Sequence, residues 1–263
     1  MSALPISVPS AADAGIDAPD DADPRPATRR ALESLLRARR LQHDAPPLRG
    51  EDRRLRPLAT GIAELDGLLA GGFPRGQLSE VHGPASSGRT GVLLALLARL
   101  TAGGGLVTLL DPLDRLDPGS AAAAGADLER LLWLRGPRSA DEDTPPKALV
   151  AATSAAATLA GSGLFELVAV DLAGMPGGAV RMLPAATWLR LQRLVEETPT
   201  ALLVVADRHL ACSPAGVSLA LEPAGPRWSG PPGPARQLGG LVARACAGRH
   251  ALRSAELALA APA

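Results

Sequence analysis

A short apolar strand, a glycine-rich loop and a buried helix follow one another between Gly76 and Leu100, and few folds accommodate that succession. The loop is Gly83-Pro84-Ala85-Ser86-Ser87-Gly88-Arg89-Thr90. It has the spacing of a phosphate-binding loop, whose glycines let backbone N–H groups wrap a phosphate at the positive end of a helix. Gln77-Leu78-Ser79-Glu80-Val81-His82 supplies the strand, and Thr90–Leu100 the helix. One charge is exchanged: the position of the lysine that reaches the β- and γ-phosphates is Arg89. Guanidinium is a wide planar fork and ammonium a compact point charge, so the swap keeps the attraction and disturbs the geometry.

Downstream of the loop, apolar runs alternate with helical stretches as a parallel α/β sheet requires. Strands are expected at 77–82, 106–111, 131–134, 167–171 and 201–206, and helices at 90–101, 120–129, 147–160 and 184–197. Residues 136–146 and 172–183 read as connecting loops. Beyond 210 the pattern suggests antiparallel strands at 216–222, 238–246 and 249–259, with a flexible Pro223–Arg236 segment between the first two. Ahead of the core, residues 1–27 form an acidic tail too poor in apolar side chains to order itself. Residues 28–56 carry a basic helix (28–42, with Leu32, Leu35, Leu36 and Leu41 beside Arg29, Arg30, Arg37, Arg39 and Arg40) and a linker. The core with its C-terminal extension fills 57–263. The helix reads either as an oligomerisation or docking element, as a basic helix lying on its own core, or as a phosphate contact.

The 27 basic and 27 acidic residues balance, so no global charge points to a nucleic-acid partner. Lys147 is the single lysine, so no neighbouring one can stand in for Arg89 by realignment. Cys212 and Cys246 fit no metal-ligand spacing and read as reduced thiols. No apolar run approaches membrane-span length and no basic-then-apolar leader opens the chain, so a soluble cytoplasmic protein without a membrane partner is expected.

Flanking residues carry a resemblance. Thr60-Gly61 through Leu65-Asp66, Gly71-Gly72-Phe73-Pro74-Arg75-Gly76 and Glu80-Val81-His82-Gly83-Pro84 lead into the loop in the order seen in RecA-like recombinases. The similarity continues through Leu110–Pro118 and Gly125–Leu132, covering roughly residues 55–210. It implies an α/β core with a mostly parallel sheet flanked by helices, followed by antiparallel strands. It also implies ATP or ADP held by residues 83–90, with Mg²⁺ near Thr90 and Asp171, Asp171 ending the second nucleotide motif. Asp171 reads equally as a plain strand-end carboxylate.

Other positions depart from that pattern. Leu113 stands where the resemblance implies a glutamate that activates water, and losing a general base forfeits roughly 10²–10⁴-fold in rate. Asp111 and Asp114 are the neighbouring substitutes. Ser120 replaces a tyrosine over the adenine, and Asp207 a glutamine that senses the γ-phosphate. The two DNA-gripping loops correspond to Gly174–Leu183 and Arg208–Gly216, both short and poor in the cations and aromatics that single strands require. Arg227, Arg236, Arg244, Arg249 and Arg253 form a separate C-terminal set that could meet phosphates or an acidic partner surface.

These departures make the chain similar to degenerate RecA-like proteins, above all the ImuA type of damage-inducible (SOS) mutagenesis cassettes. The implied function is a non-catalytic accessory in translesion synthesis that docks on RecA or on translesion polymerase components, with no cofactor required. Two alternatives stand beside it: an ATP-dependent, single-stranded-DNA-binding ATPase of repair or recombination, and a nucleotide or DNA sensor that does not hydrolyse. A homo-oligomer through the N-terminal helix is a further possibility of the same resemblance.

Overall fold

A computed structural model describes residues 25–38, 56–137, 144–210, 215–247 and 253–260. Eight strands form one sheet in the order β3-β2-β4-β5-β1-β6-β7-β8. They are β1 (Leu78–His82), β2 (Val107–Asp111), β3 (Leu131–Arg135), β4 (Leu167–Asp171), β5 (Ala201–Ala206), β6 (Ser218–Ser229), β7 (Gln237–Ala247) and β8 (Arg253–Ala260). Every pair from β3 to β6 is parallel, and β6-β7 and β7-β8 are antiparallel. β4 and β5 are near-continuous Val/Leu/Ala runs because both faces of a parallel sheet are covered.

Helices supply those covers. In chain order they are α1 (Arg25–Ala38), α2 (Ala63–Leu68), α3 (Arg89–Ala102), α4 (Pro118–Ala123), α5 (Thr144–Ser162), α6 (Gly177–Arg181) and α7 (Ala185–Glu196). One core layer joins α2 and α3 to the sheet through Leu65, Leu93, Leu96, Leu97, Leu109 and Leu203, and extends to Leu257 and Leu259 of β8. The other sets α1, α5 and α7 against Leu78, Val168, Val170 and Val204, through Leu36, Leu149, Phe165, Trp188 and Leu191. Among the described residues no helix is long and apolar enough to cross a membrane.

The five parallel strands expected from the sequence lie within a residue of their places, and the α/β fold class is as expected. Three elements differ. A single helix over 120–129 is replaced by α4, which Asp117 caps through the N–H groups of Gly119 and Ser120, and by a 3₁₀ turn at Leu128–Arg130. Gly125, at φ +95°, breaks the run between them. The expected loop 172–183 contains α6. The segment Pro223–Arg236 is not a flexible break: β6 continues to Ser229 and pairs with β7, with register shifts between Pro223 and Gly225 and between Arg227 and Trp228. Only Glu80, Val81 and His82 of β1 pair with β6, opposite Ser218, Leu219 and Ala220. Past that point β1 offers β6 no ladder on that side, so Pro223 and Pro226 interrupt none there while β6 stays paired with β7.

The basic helix runs from Arg25 to Ala38, and Leu36 is buried in the core layer with α5. Arg29 donates to Glu33 and to the carbonyl of Ser162. This is the arrangement of a basic helix lying on its own core, with Leu35 left 43% exposed. Residues 1–24, Arg39, Arg40, Leu41, Cys212 and Arg249 lie outside the described residues.

Candidate functional site: a phosphate-loop backbone closed by its own side chains

The loop hangs on the C-terminal end of β1, where open α/β sheets place their ligand crevices. Register decides what faces it. β1 pairs with β5 so that His82 is opposite Ala206, which sets Gly83 and Asp207 side by side one residue on. The N–H of Gly83 donates to Ala206 O at 3.2 Å. A Cβ on Gly83 would lie 2.2 Å from Leu221 O, so glycine is the residue this approach permits. Gly88, the N-cap of α3 at φ +91°, has Leu259 Cδ1 2.2 Å from where its Cβ would stand. The last strand thus presses up against the loop's second glycine.

Arg89, the first residue of α3, turns inward and is buried. Its Nη1 donates to the carbonyl oxygens of Gly83 and, at 3.1 Å, Ala206. The same nitrogen is 2.6 Å from Asp207 Oδ1. Asp207 Oδ2 accepts the Gly174 N–H at 3.0 Å, so one carboxylate joins the loop to the segment after β4. Of the other loop residues, Pro84, Ala85, Ser86 and Thr90 are exposed, and Ser87 is fully buried with its Oγ unpartnered among the described residues.

The candidate catalytic carboxylates are engaged elsewhere. Asp111 is buried, and its Oδ2 accepts the N–H groups of Arg115 (2.7 Å) and Leu116 (2.8 Å) and the Trp133 indole N–H (3.2 Å). Asp114 forms a two-pronged pair with Arg135 at 2.5 and 2.8 Å, and that guanidinium stacks 4.3 Å from the centre of the Trp133 ring. Asp171 accepts the Ala173 N–H at 2.9 Å. Burial pushes its carboxyl up to about 6, with Asp111 adding to the rise and Arg89 and Arg115 opposing it. Ser120 Oγ donates to Asp117 at 2.6 Å, a helix cap rather than a platform for a base.

Four of the five C-terminal arginines lie among the described residues, on three different strands and a turn. Arg227 lies on β6, and Arg236, in the β6–β7 turn, sits 5.3 Å over the Trp228 ring. Arg244 on β7 is opposite Glu222 on one side and Glu256 on the other, inside a ladder of alternating charge. Arg253 opens β8 opposite Ala247.

Two constellations escaped sequence reasoning. Arg75 of the Gly-Gly-Phe-Pro-Arg-Gly turn pairs with Glu166 at the foot of β4, both side chains nearly excluded from solvent, and donates to Pro199 O at 3.1 Å. Glu80, His82 and His209 gather at the C-terminal end of β1. Glu80 is 1% exposed; it meets His209 Nδ1 and accepts from Leu210 N (3.0 Å) and Ser218 Oγ (2.7 Å). Burial lowers the His82 imidazole below its ordinary value, Glu80 raises it and His209 lowers it. The i, i+2 spacing of Glu80 and His82 was the one available signal; His209 arrives through the β1–β5 pairing.

Residues 48–174 match the family model of the RecA N-terminal domain. This stretch is RecA-like. The chain is 43% identical over 75 residues to Protein RecA of Picosynechococcus sp., covering 28% of this chain and 22% of that protein. It is 42% identical over 79 residues to Protein RecA of Prochlorococcus marinus (30% and 21%). With Protein RecA of Streptococcus agalactiae it shares 36% identity over 121 residues (46% and 29%). The matched segments span less than a third of each of these relatives. The Thr60-Gly61…Asp66 landmark is structural here: Asp66 accepts the N–H and hydroxyl of Thr60, both at 2.7 Å, and the N–H of Gly61 at 3.1 Å.

Proposed function

We propose that this chain is a non-catalytic RecA-like accessory protein of the bacterial DNA-damage response, of the ImuA type, acting in SOS mutagenesis and translesion synthesis. It docks on RecA or on translesion polymerase components through the scaffold. The observation that carries this reading is the Arg89–Asp207 pair lodged across the loop. A phosphate entering there must displace a guanidinium bonded to two carbonyls and a carboxylate, and must then face that carboxylate. The Asp207 carboxylate repels a phosphate, although its partial exposure screens that repulsion, so the engaged guanidinium is the larger obstacle.

The remaining parts agree. Leu113 accepts no proton, and Asp111 and Asp114 are committed to backbone and ion-pair contacts. Asp171 accepts the Ala173 N–H, and burial raises its carboxyl to about 6, so it has the environment of a shielded strand-end carboxylate. Arg89, held by Gly83 O, Ala206 O and Asp207, is thus the residue that fits a Mg²⁺-bound triphosphate least. RecA-like ancestry supports a place in DNA repair or recombination.

The test is a pull-down of RecA by the full chain, with strand exchange followed as the chain is added. Stoichiometric capture and slowed exchange are expected. No contact with RecA or with translesion polymerase components, and no effect on exchange, contradict the docking role. Two other readings keep distinct outcomes: DNA-stimulated hydrolysis lost in Thr90 or Asp171 variants marks an ATPase, and salt-dependent single-strand affinity without turnover marks a sensor.

A further inference from the structure

We infer that Glu80, His82 and His209 form a binding site for a divalent transition-metal ion of the Zn²⁺ class. Two imidazoles and one carboxylate are the donor set that Zn²⁺ takes in sites with an open fourth position. Their ligand atoms all lie within 4.8 Å of one another, and His82 Nε2 is 3.8 Å from Glu80 Oε1. Donors around a tetrahedral Zn²⁺, at roughly 2.0–2.2 Å from the ion, stand about 3.3–3.5 Å apart. The wider pairs must therefore close by up to about an ångström or a little more, and His209 Nδ1, now in direct contact with Glu80 Oε1, must draw back to admit the ion.

The surroundings hold the donors in ligating form. Ser218 Oγ and the Leu210 N–H fix the two carboxylate oxygens of Glu80, as hydrogen-bonded partners orient metal-binding carboxylates elsewhere. Glu80 and His82 project from one face of β1, a rigid strand paired on both sides. The His209 side chain is 49% exposed, which gives it freedom to close and leaves room for a water on the ion. A bland alternative is a simple carboxylate–imidazole contact with no metal, and the experiment separates the two.

Such an ion would tie the segment 207–210 to β1, next to Gly83, and so steady the Asp207 side of the loop. It would stabilise the fold in proportion to its occupancy.

The probe is Zn²⁺ alone, titrated calorimetrically into the full chain, with Co²⁺ absorption reporting geometry. One ion per chain at micromolar Kd is expected, with tetrahedral Co²⁺ bands and a Tm raised by roughly 5 °C or more at a hundredfold excess over Kd. His209→Ala, at a half-exposed position that leaves the fold intact, and His82→Ala should each weaken binding at least about tenfold. Glu129→Gln, on the exposed 3₁₀ turn that precedes edge strand β3, should leave it unchanged. Affinity weaker than millimolar, or equal affinity in wild type and His209→Ala, overturns the assignment.

Discussion

Arg89 Nη1 and Asp207 Oδ1 lie 2.6 Å apart although 118 positions separate them in the chain, and the parallel pairing of β1 with β5 brings them together. Each residue alone reads as a damaged nucleotide site. Together they are a matched pair that satisfies itself where a phosphate would be held.

The pair should couple energetically. Asp207 is partly exposed, so screening reduces its contribution, and a double-mutant cycle between Arg89→Ala and Asp207→Ala should return about 1 kcal/mol in urea unfolding. Strict additivity of the two variants would mean that the contact contributes nothing.

Asp171 should make stability fall with rising pH. Its carboxyl is raised from 3.8 to about 6 in the fold, so folding favours the protonated form. That contribution is complete below about pH 4 and is lost as pH rises through about 6. Asp171→Asn, which keeps the acceptor for Ala173, should therefore gain about 2 kcal/mol at pH 8 and nothing at pH 4. Unfolding curves at the two pH values check this.

Breaking the Arg75–Glu166 pair on one side should be costly. Both side chains are shielded from water, and an uncompensated charge there costs about 3–5 kcal/mol. Arg75→Ala is expected to lose at least about 2 kcal/mol by chemical denaturation, and Arg75→Met, which fills the space without a charge, should recover only the packing part of that loss.

Leu259→Ala tests the support that β8 gives the loop. Leu259 is nearly buried and touches the places of Gly88 and Gly91. A loss of about 2–4 kcal/mol is expected from the cavity, together with faster amide exchange in residues 83–90 than elsewhere on α3.

The parallel strands were legible because a sheet covered on both faces demands short, continuous apolar runs such as Leu202–Ala206, while the equally apolar Val92–Leu97 lies within a longer run behind the glycine loop and is helical. The first part of β6 was expected at 216–222, but its continuation to Ser229 was not, because Pro223 and Pro226 argue against a strand unless its neighbour ends early, as β1 does. The helix over 120–129 failed at Gly125, whose positive φ outweighs the apolar spacing around it. Within the site, Arg89 and Asp207 were each marked as departures, yet their union depends on register between two strands that the intervening chain says nothing about. Asp111 and Asp114 looked like substitute bases because sequence shows a carboxylate's position and not its partners, Arg115, Leu116, Trp133 and Arg135. The Glu80–His82–His209 group was hidden for the same reason as the Arg89 pair.

The decisive measurement is calorimetric titration of ATP with Mg²⁺ into the full chain. A loop closed by Arg89 and Asp207 should give no binding tighter than roughly millimolar, about 4 kcal/mol. Micromolar binding of ATP to the unaltered chain would contradict the closed loop, and with it the case for a scaffold that docks without turning over nucleotide.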